Sequence, residues 1–187
     1  MRRVATENTC RNRPRKKKQL ETEKNLHLES ADQPREALKS DSEKASDKLY
    51  VCTFDLQKAL PFPKLSTSVA YYKRNLYVYN LGVHSFNFKT GFMYVWDETE
   101  GGRGLQDVAS GVAKHLKGNA GTHHQVILYC DSCTGQNRNI KMALTLLRFV
   151  QDPRVAVKTM DLKFMVSGHS FLPNDAEFGV IKSASKK

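Results

Sequence analysis

The stretch from Val126 to Asn137 constrains the fold of this chain more than any other part of the sequence. It opens with apolar and aromatic residues typical of a buried strand and reaches a single carboxylate, Asp131, just before a turn rich in small polar residues. A helix-compatible segment follows from Ile140 to Val150. Open α/β sheets carry their functional groups at the carboxyl ends of central strands, so Asp131 is the first candidate site residue.

Apolar residues are unevenly spread along the chain. Residues 1–48 hold few large apolar side chains, whereas 49–187 contain nearly all the aromatic ones. We therefore expect a flexible extension over 1–48, basic and charged, partly helical or disordered, and one domain over 49–187. Pro34 is expected to interrupt the helical pattern of the extension, which would then lie outside the core.

The charge balance points to an anionic partner. The 187 residues carry a net charge of +11 and the isoelectric point is near 9.6, so polyanions, and nucleic acid first among them, are the natural ligands. Residues 1–18 alone hold eight Lys or Arg. This basic run is typical of a phosphate-binding arm or a nuclear import signal, and equally of a solvated arm.

Several classes of protein are disfavoured by the sequence. No apolar run approaches the roughly 20 residues that a membrane helix needs, and the N-terminus lacks the apolar core of a signal peptide. The four cysteines do not form the pattern of a secreted disulfide framework. We expect an intracellular protein, in the nucleus if the basic run is an import signal, with no membrane partner.

The predicted elements follow the order β-β-β-α-β-α-β-α. Three strands joined by hairpins and two more joined through helices give a mixed five-stranded sheet flanked by helices, an α/β arrangement whose order is the signature of the ribonuclease H-like (RNase H-like) fold. Two prolines are expected to keep the segment Leu60–Pro63 out of the sheet. The predicted strands cover 49–55, 75–81, 91–96, 125–130 and 159–166, and the helices cover 105–116, about 136–150 and 174 onward.

Asp55 and Asp131 close the first and fourth strands, which are neighbours in this topology. Two adjacent carboxylates are costly unless a cation lies between them, and Mg²⁺ or Mn²⁺ prefers such oxygen ligands. Asp175, in the first turn of the last helix, is the candidate third acid, with Glu177 nearby. Three acids around two metal ions suit phosphodiester cleavage. The alternative is that each acid only caps a turn or a helix.

Basic residues lie near these acids in the sequence. Lys73 and Arg74 follow two tyrosines, an arrangement that suits stacking on bases and contact with phosphates, although the tyrosines would equally pack beneath a loop. Arg138 and Lys141, on the second helix, add positive charge after Asp131, unless they belong to a solvated face. These four cations are the candidate nucleic-acid-binding residues.

Two further patterns narrow the chemistry. Cys130 and Cys133 match C-x-x-C, but no second pair accompanies them, so a zinc or redox site is disfavoured. Gln57 stands where a proofreading exonuclease would carry a second acid, so that class of enzyme is disfavoured. Ribonuclease H itself is also disfavoured, because the first helix carries only Asp107 where that enzyme would carry a glutamate.

Several stretches together resemble one family, the RNase H-like domain of transposon-derived, largely uncharacterised animal proteins. The similarity runs from about residue 20 to the end, and the segment from His27 to Asp41 is similar to the helix that precedes that domain. The stretches that carry the similarity are Asp55–Lys58 with Leu60–Pro63, Tyr79–His84, Trp96–Glu98 with Arg103-Gly104, Asp131–Asn139, Gly168–Ser170, and Asp175 with Phe178-Gly179.

This resemblance implies a DDE-type transposase or integrase-like core acting on DNA, in which Asp55, Asp131 and Asp175 are the carried-over acids. A homo-oligomer is compatible with such a core. The chain ends about one helix into the last element, with no complete DNA-binding module upstream, so a fragment or an inactive, domesticated copy is also expected. The alternatives are an inactive nucleic-acid- or protein-binding module with the same fold, and a domain of a larger protein without a nucleic-acid role.

Overall fold

A six-stranded mixed sheet forms the centre of this computed structural model, which describes residues 30–62, 74–166, 168 and 171–184. Helices cover both faces of the sheet, so the α/β class expected from the sequence is confirmed. The strands are β1 (Leu49–Leu56), β2 (Leu60–Phe62), β3 (Leu76–Ser85), β4 (Thr90–Asp97), β5 (Gln125–Cys130) and β6 (Thr159–Phe164), and the helices are α1 (30–43), α2 (Leu105–Asn119), α3 (Ile140–Val150) and α4 (Pro173–Ala184).

The sheet changes from antiparallel to parallel at β1. The strand order is β2-β3-β1-β5-β6, with β4 paired to β3. β1 pairs antiparallel with β3 and parallel with β5, and β5 pairs parallel with β6. Parallel neighbours need a crossover connection, and α3 supplies it between β5 and β6.

The prediction of five strands was wrong, because Leu60–Phe62 forms β2. This strand pairs antiparallel with the start of β3, where Pro61 lies opposite Tyr77. Among the described strands β2 has no partner on its other side. A strand paired on one side tolerates proline, since alternate residues need no N–H donor there.

Two other boundaries differ from the expected ones by four residues each. β3 runs four residues past the predicted end at Leu81, because its last residues pair with β1 and β4 at once. α3 begins at Ile140 rather than near residue 136, since the Asn139 side chain accepts a hydrogen bond from Met142 N at 2.9 Å and caps the helix there.

α1 packs on the sheet instead of lying outside it as expected, and it continues through Pro34. Leu38 packs against a buried cluster, and Asp41 accepts hydrogen bonds from Tyr129 Oη at 2.7 Å and Lys163 Nζ at 2.5 Å. Tertiary contacts of this kind stabilise a helix despite one missing backbone donor. The predicted boundary at residue 48 stays a prediction.

The core has two parts, one on each face of the sheet. The larger lies beneath α2 and α3, and the smaller lies beneath α1 and the residues that lead into α4. Side chains alternate between the two along β1 and β5, as the pleat requires. The larger part includes Tyr50, Cys52, Phe54, Val112, Leu116, Leu128, Met142 and Phe149, and the smaller includes Val51, Ile127, Tyr129, Met165 and Leu172.

No helix in the described ranges is both long enough and apolar enough to cross a membrane.

A buried histidine links α2 to the sheet. His115 is 1% exposed and hydrogen-bonds the hydroxyls of Tyr50 at 2.7 Å and Tyr94 at 2.9 Å. Phe92 packs edge-on against its ring. Burial disfavours the charged imidazolium and lowers the pKa of His115 to about 4.

We expect His115 to contribute a loss of stability in mild acid. Because the unfolded side chain takes up its proton near pH 6.5 and the folded one only near 4, the unfolded state binds more protons in between, and the part of the stability linked to His115 falls as the pH is lowered through that range. This part should reach about 3 kcal/mol. Urea denaturation across this range measures it as the difference between the unmutated protein and His115→Phe, which lacks this contribution. The exposed-residue control His124→Gln should keep the pH dependence of the unmutated protein; equal slopes in both variants would contradict the assignment.

Candidate functional site

The parallel pairing of β1 with β5 aligns two acids. Thr53 lies opposite Tyr129 in this pair, and two residues further along each strand direction come Asp55 and Asp131. Since side chains alternate, both acids belong to the face of Thr53 and Tyr129, the one that carries the smaller core. Asp55 and Asp131 therefore each lie two residues beyond the last aligned pair, at the carboxyl edge of the sheet. The predicted adjacency of their two strands is confirmed, whereas the role of the two acids stays a prediction.

α4 is held along β1 so that its first turn faces Asp55. Thr53 Oγ1 donates a hydrogen bond to Asn174 Oδ1 at 2.6 Å, and Gln57 Nε2 donates to the backbone oxygen of Phe178 at 3.3 Å. Thr53 lies two residues before Asp55 and Gln57 two residues after it, so the two contacts lie on either side of Asp55 on the same face. Asp175, next to Asn174, is thereby brought to the same edge of the sheet.

A glycine in β3 lets α4 approach this closely. A Cβ atom at Gly82 would lie 2.6 Å from the Phe178 ring. Two residues after Gly82 in β3, His84 Nδ1 contacts Glu177 Oε1 at 2.6 Å. Glu177 is therefore engaged on β3, which leaves Asp175 as the acid of this helix that faces Asp55.

Electrostatic interactions also place Asp131 and Asp175 near Asp55. The pKa of Asp55 is raised to about 7, first by burial and then by the charges of Asp131 and Asp175. The neighbouring Leu56 N–H acts in the opposite direction by donating to the carboxylate. Two like charges that raise a third carboxyl pKa lie within short electrostatic range of it.

Each of the three carboxylates uses one oxygen in a local hydrogen bond. Asp55 Oδ1 accepts from Leu56 N at 2.8 Å, Asp131 Oδ1 from Asn137 Nδ2 at 2.5 Å, and Asp175 Oδ2 from Leu172 N at 3.0 Å.

The other oxygen of each acid makes no hydrogen bond within the described part of the chain, so each acid keeps one oxygen for a ligand. No three His, Cys, Asp or Glu side chains in that part are arranged as a ready metal site. The acids share one edge without forming a closed ligand set. Carboxylate oxygens are nevertheless the donors that Mg²⁺ and Mn²⁺ prefer, and these three are the ones that would hold such an ion.

A cleft of about 870 Å³ opens beside Asp55 and Asp175. Its walls are largely apolar, formed by the β2 residues Pro61 and Phe62 and by Phe178. Lys58 and Lys182 also line it. The cleft therefore combines acids, cations and an aromatic surface next to the carboxyl edge.

The predicted nucleic-acid-binding residues that the structure describes, Arg74, Arg138 and Lys141, do not form one group. Lys73 lies outside the described residues, as do Tyr71, Tyr72 and His169. Arg74 pairs with Glu98 at 2.8 Å. Arg138 is exposed, with its guanidinium 5.8 Å from the centre of the Phe164 ring. Lys141 lines a groove between α2 and α3, on the opposite face of the sheet.

The two cysteines of the C-x-x-C motif lie in different environments. Cys130 is buried in the larger core, and burial raises the pKa of its thiol. Cys133 is exposed in the loop that follows Asp131.

Sequence reasoning missed the residues that orient the site. Thr53, Asp55 and Gln57 alternate with apolar residues and so form a polar stripe on one face of β1. That alternation was the available signal, since a polar stripe on a buried strand needs polar partners. Asn174, which is fully buried, provides one of them across 121 residues of sequence.

Comparisons with protein-family models, with curated proteins and with solved structures find no match to this chain.

Gly82→Ala should loosen the docking of α4. The new methyl group would meet the Phe178 ring, and overpacking of this kind costs about 2 kcal/mol. Gly118→Ala is the matched control, because nothing lies within 4 Å of its Cβ position and a helical Gly-to-Ala change stabilises by about 0.5–1 kcal/mol. Chemical denaturation measures both. A stable Gly82→Ala protein would show that α4 does not pack as described.

Asp55→Asn should stabilise the metal-free protein at alkaline pH. The folded-state pKa of about 7 lies above the ordinary aspartate value of 3.8, so the stability linked to Asp55 is fully present below 3.8 and is lost as the pH rises through 7. Near pH 8 the neutral amide should gain on the order of 2 kcal/mol in unfolding free energy. Thermal denaturation in EDTA tests this, with the exposed Asp47→Asn as control. Equal effects of the two substitutions would contradict the raised pKa of Asp55.

Proposed function

We propose that this chain is a transposase- or integrase-like core of the RNase H-like fold, which cleaves or transfers phosphodiester bonds of DNA with the help of Mg²⁺ or Mn²⁺. One observation carries the proposal: the register of β1 and β5 brings Asp55 and Asp131 level on one face at the carboxyl edge of the sheet. Open α/β sheets bind their ligands at this edge.

The topology supports the fold part of the proposal. Leaving out the short β2, the sheet reads β4-β3-β1-β5-β6, with an antiparallel meander on one side of β1 and parallel strands on the other. This arrangement makes the first long strand and the strand after α2 central neighbours, as the element order of the RNase H-like fold requires. In this comparison β2 is an addition that extends the cleft.

The carboxylate oxygens of the three acids support the proposed binding of Mg²⁺ or Mn²⁺. Asp55, Asp131 and Asp175 would hold the ion through the oxygens that local hydrogen bonds leave open. Bound there, a divalent cation would activate a water molecule and neutralise charge on the leaving oxygen. Asn137 orients Asp131, and the bonds of α4 to Thr53 and Gln57 orient Asp175.

Positive charge around the carboxyl edge supports a nucleic-acid substrate. Lys58 and Lys182 line the cleft beside Asp55, and Arg138 is exposed at the end of the loop that follows Asp131. Phosphate groups would bring negative charge to a site that already holds three acids, so these cations would offset part of the repulsion. DNA is the partner that this combination favours, and a nuclear location would suit it.

A second candidate function is a binding module that has lost catalysis. The specific observation that favours it is the lack, among the described residues, of three side chains arranged as a ready metal site. In this case the fold and its positive charge would serve DNA binding alone.

The catalytic proposal predicts metal-dependent nicking of supercoiled DNA. Asp55→Asn and Asp131→Asn should each lower the nicking rate at least about a hundred-fold, because each removes charge that would hold the metal ions. Asp47→Asn, an exposed acid away from the cleft, should retain full activity. Gel assays with Mg²⁺ and with Mn²⁺ measure the rates.

Metal binding provides a readout besides activity. Mg²⁺ should raise the melting temperature of the unmutated protein near pH 8 and that of Asp47→Asn, but not that of Asp131→Asn. DNA binding without nicking or metal stabilisation would favour the inactive module. Nicking that survives both Asp55→Asn and Asp131→Asn would overturn the catalytic assignment.

A further inference from the structure

A second groove lies between α2 and α3, away from the acids. Its volume is about 770 Å³, and the segment after α3, up to Arg154, closes one end. These two helices cover the face of the sheet that carries the larger core, whereas the three acids belong to the other face. The groove is therefore a surface separate from the carboxylate cleft.

The charge of this groove is strongly positive. Lys117 on α2, Lys141 and Arg148 on α3, and Arg154 beyond it all line the groove and are exposed. The lining contains a single acid, Asp152, whose two oxygens accept hydrogen bonds from Arg154 at 2.8 and 2.6 Å. Three cations of the lining thus have no ion-pair partner within 4.0 Å among the described residues.

The two walls present these cations in a regular way. Lys141, Thr145 and Arg148 follow one face of α3, at the i, i+4, i+7 spacing of a single stripe. The opposite wall carries only small side chains between its polar ends, namely Ala109, Ser110 and Ala113. Small residues on one wall and long cations on the other leave room for a chain of phosphate groups to lie along α3.

We propose that the α2–α3 groove binds the phosphodiester backbone of a nucleic acid, independently of the carboxylate cleft. The inference rests on the proposed function only in taking DNA as the first partner, since the binding itself requires neither metal nor cleavage. Exposed, unpaired cations release counterions from phosphates when they bind, and this supplies most of the sequence-independent affinity for DNA. The groove would thus hold a stretch of the backbone that is not at the acids.

The test compares two triple variants of the full chain with the same change in charge. The first removes groove cations, by Lys117→Gln, Lys141→Gln and Arg148→Gln. The control removes exposed cations that do not line the groove, by Lys89→Gln, Lys114→Gln and Lys158→Gln. The basic run in residues 1–18 is the same in both, so any difference between them reports the groove. Circular dichroism checks that each variant is folded.

Binding is measured by fluorescence anisotropy in EDTA, with a short DNA duplex, its single strand and RNA of equal length, over a series of salt concentrations. The groove variant should bind duplex DNA about ten-fold more weakly than the unmutated chain at moderate salt, and its slope of log affinity on log salt should fall by about 2–3. The control variant should differ less than about two-fold. A conservative variant, Lys117→Arg with Lys141→Arg, should retain the affinity.

Equal losses in both triple variants, or no loss in either, would overturn the proposal. So would competition by polyglutamate as effective as that of DNA at equal charge, because the groove would then select for negative charge alone. A stronger effect on RNA than on DNA would support the groove as a backbone site and assign it to RNA. Failure of nicking leaves this result unaffected, because binding is measured in EDTA, where no metal-dependent cleavage takes place, so the two proposals fail separately.

Discussion

The parallel pairing of β1 with β5 is the constraint on which the rest of the structure depends. A parallel pair cannot close by a hairpin, so the chain must leave the sheet and return through a helix. α2 therefore lies between β4 and β5 in the chain and packs over the larger core. The same pairing sets two acids level at one edge, where burial and mutual repulsion raise the pKa of Asp55 to about 7. One register thus determines both the layering of the fold and the placement of two acids at one edge of the sheet.

That arrangement persists because the surrounding contacts are strong enough to hold it. α4 is fixed to β1 and β3 by buried polar bonds and by the close approach at Gly82. α1 is fixed by Asp41, whose carboxylate meets Tyr129 and Lys163. Burial and the charges of Asp131 and Asp175 disfavour the ionised form of Asp55, and the contacts of α4 and α1 hold the acids in place despite this cost. A cation beside these acids would reduce the repulsion between them.

Local pattern and long-range contact explain which parts of the structure the sequence could predict. β5 has the predicted bounds, and β1 differs from its prediction by one residue, because each is an uninterrupted β-branched and aromatic run that ends at a polar residue. β2 was missed because proline is excluded from a strand only when both sides are paired. The docking of α1 was missed because Asp41 and Tyr129 are 88 residues apart, and no periodicity in 1–48 reports a contact at that distance.

The residues of the candidate site also differ in how far the sequence could predict their arrangement. The alignment of Asp55 with Asp131 follows from strand order, which hydrophobic pattern and turn chemistry indicate. The hydrogen bond from Asn137 to Asp131 depends on the conformation of the loop after β5, and the sequence offers several polar residues there with no rule to choose among them. The order of the strands thus determines which acids are neighbours, whereas the conformation of the loops determines which oxygen of each acid is free of hydrogen bonds.

The distribution of charge between the two faces follows from the same topology. Acids at the carboxyl edge repel phosphate groups in the absence of a cation. Lys58 and Lys182 line the same cleft as Asp55 and Asp175, so positive and negative charges are mixed there. The outer surfaces of α2 and α3 lie apart from these acids, since the sheet and the larger core separate them from Asp55 and Asp175. With helices on both faces of its sheet, the fold therefore carries one set of cations beside the acids and a second set on the opposite face.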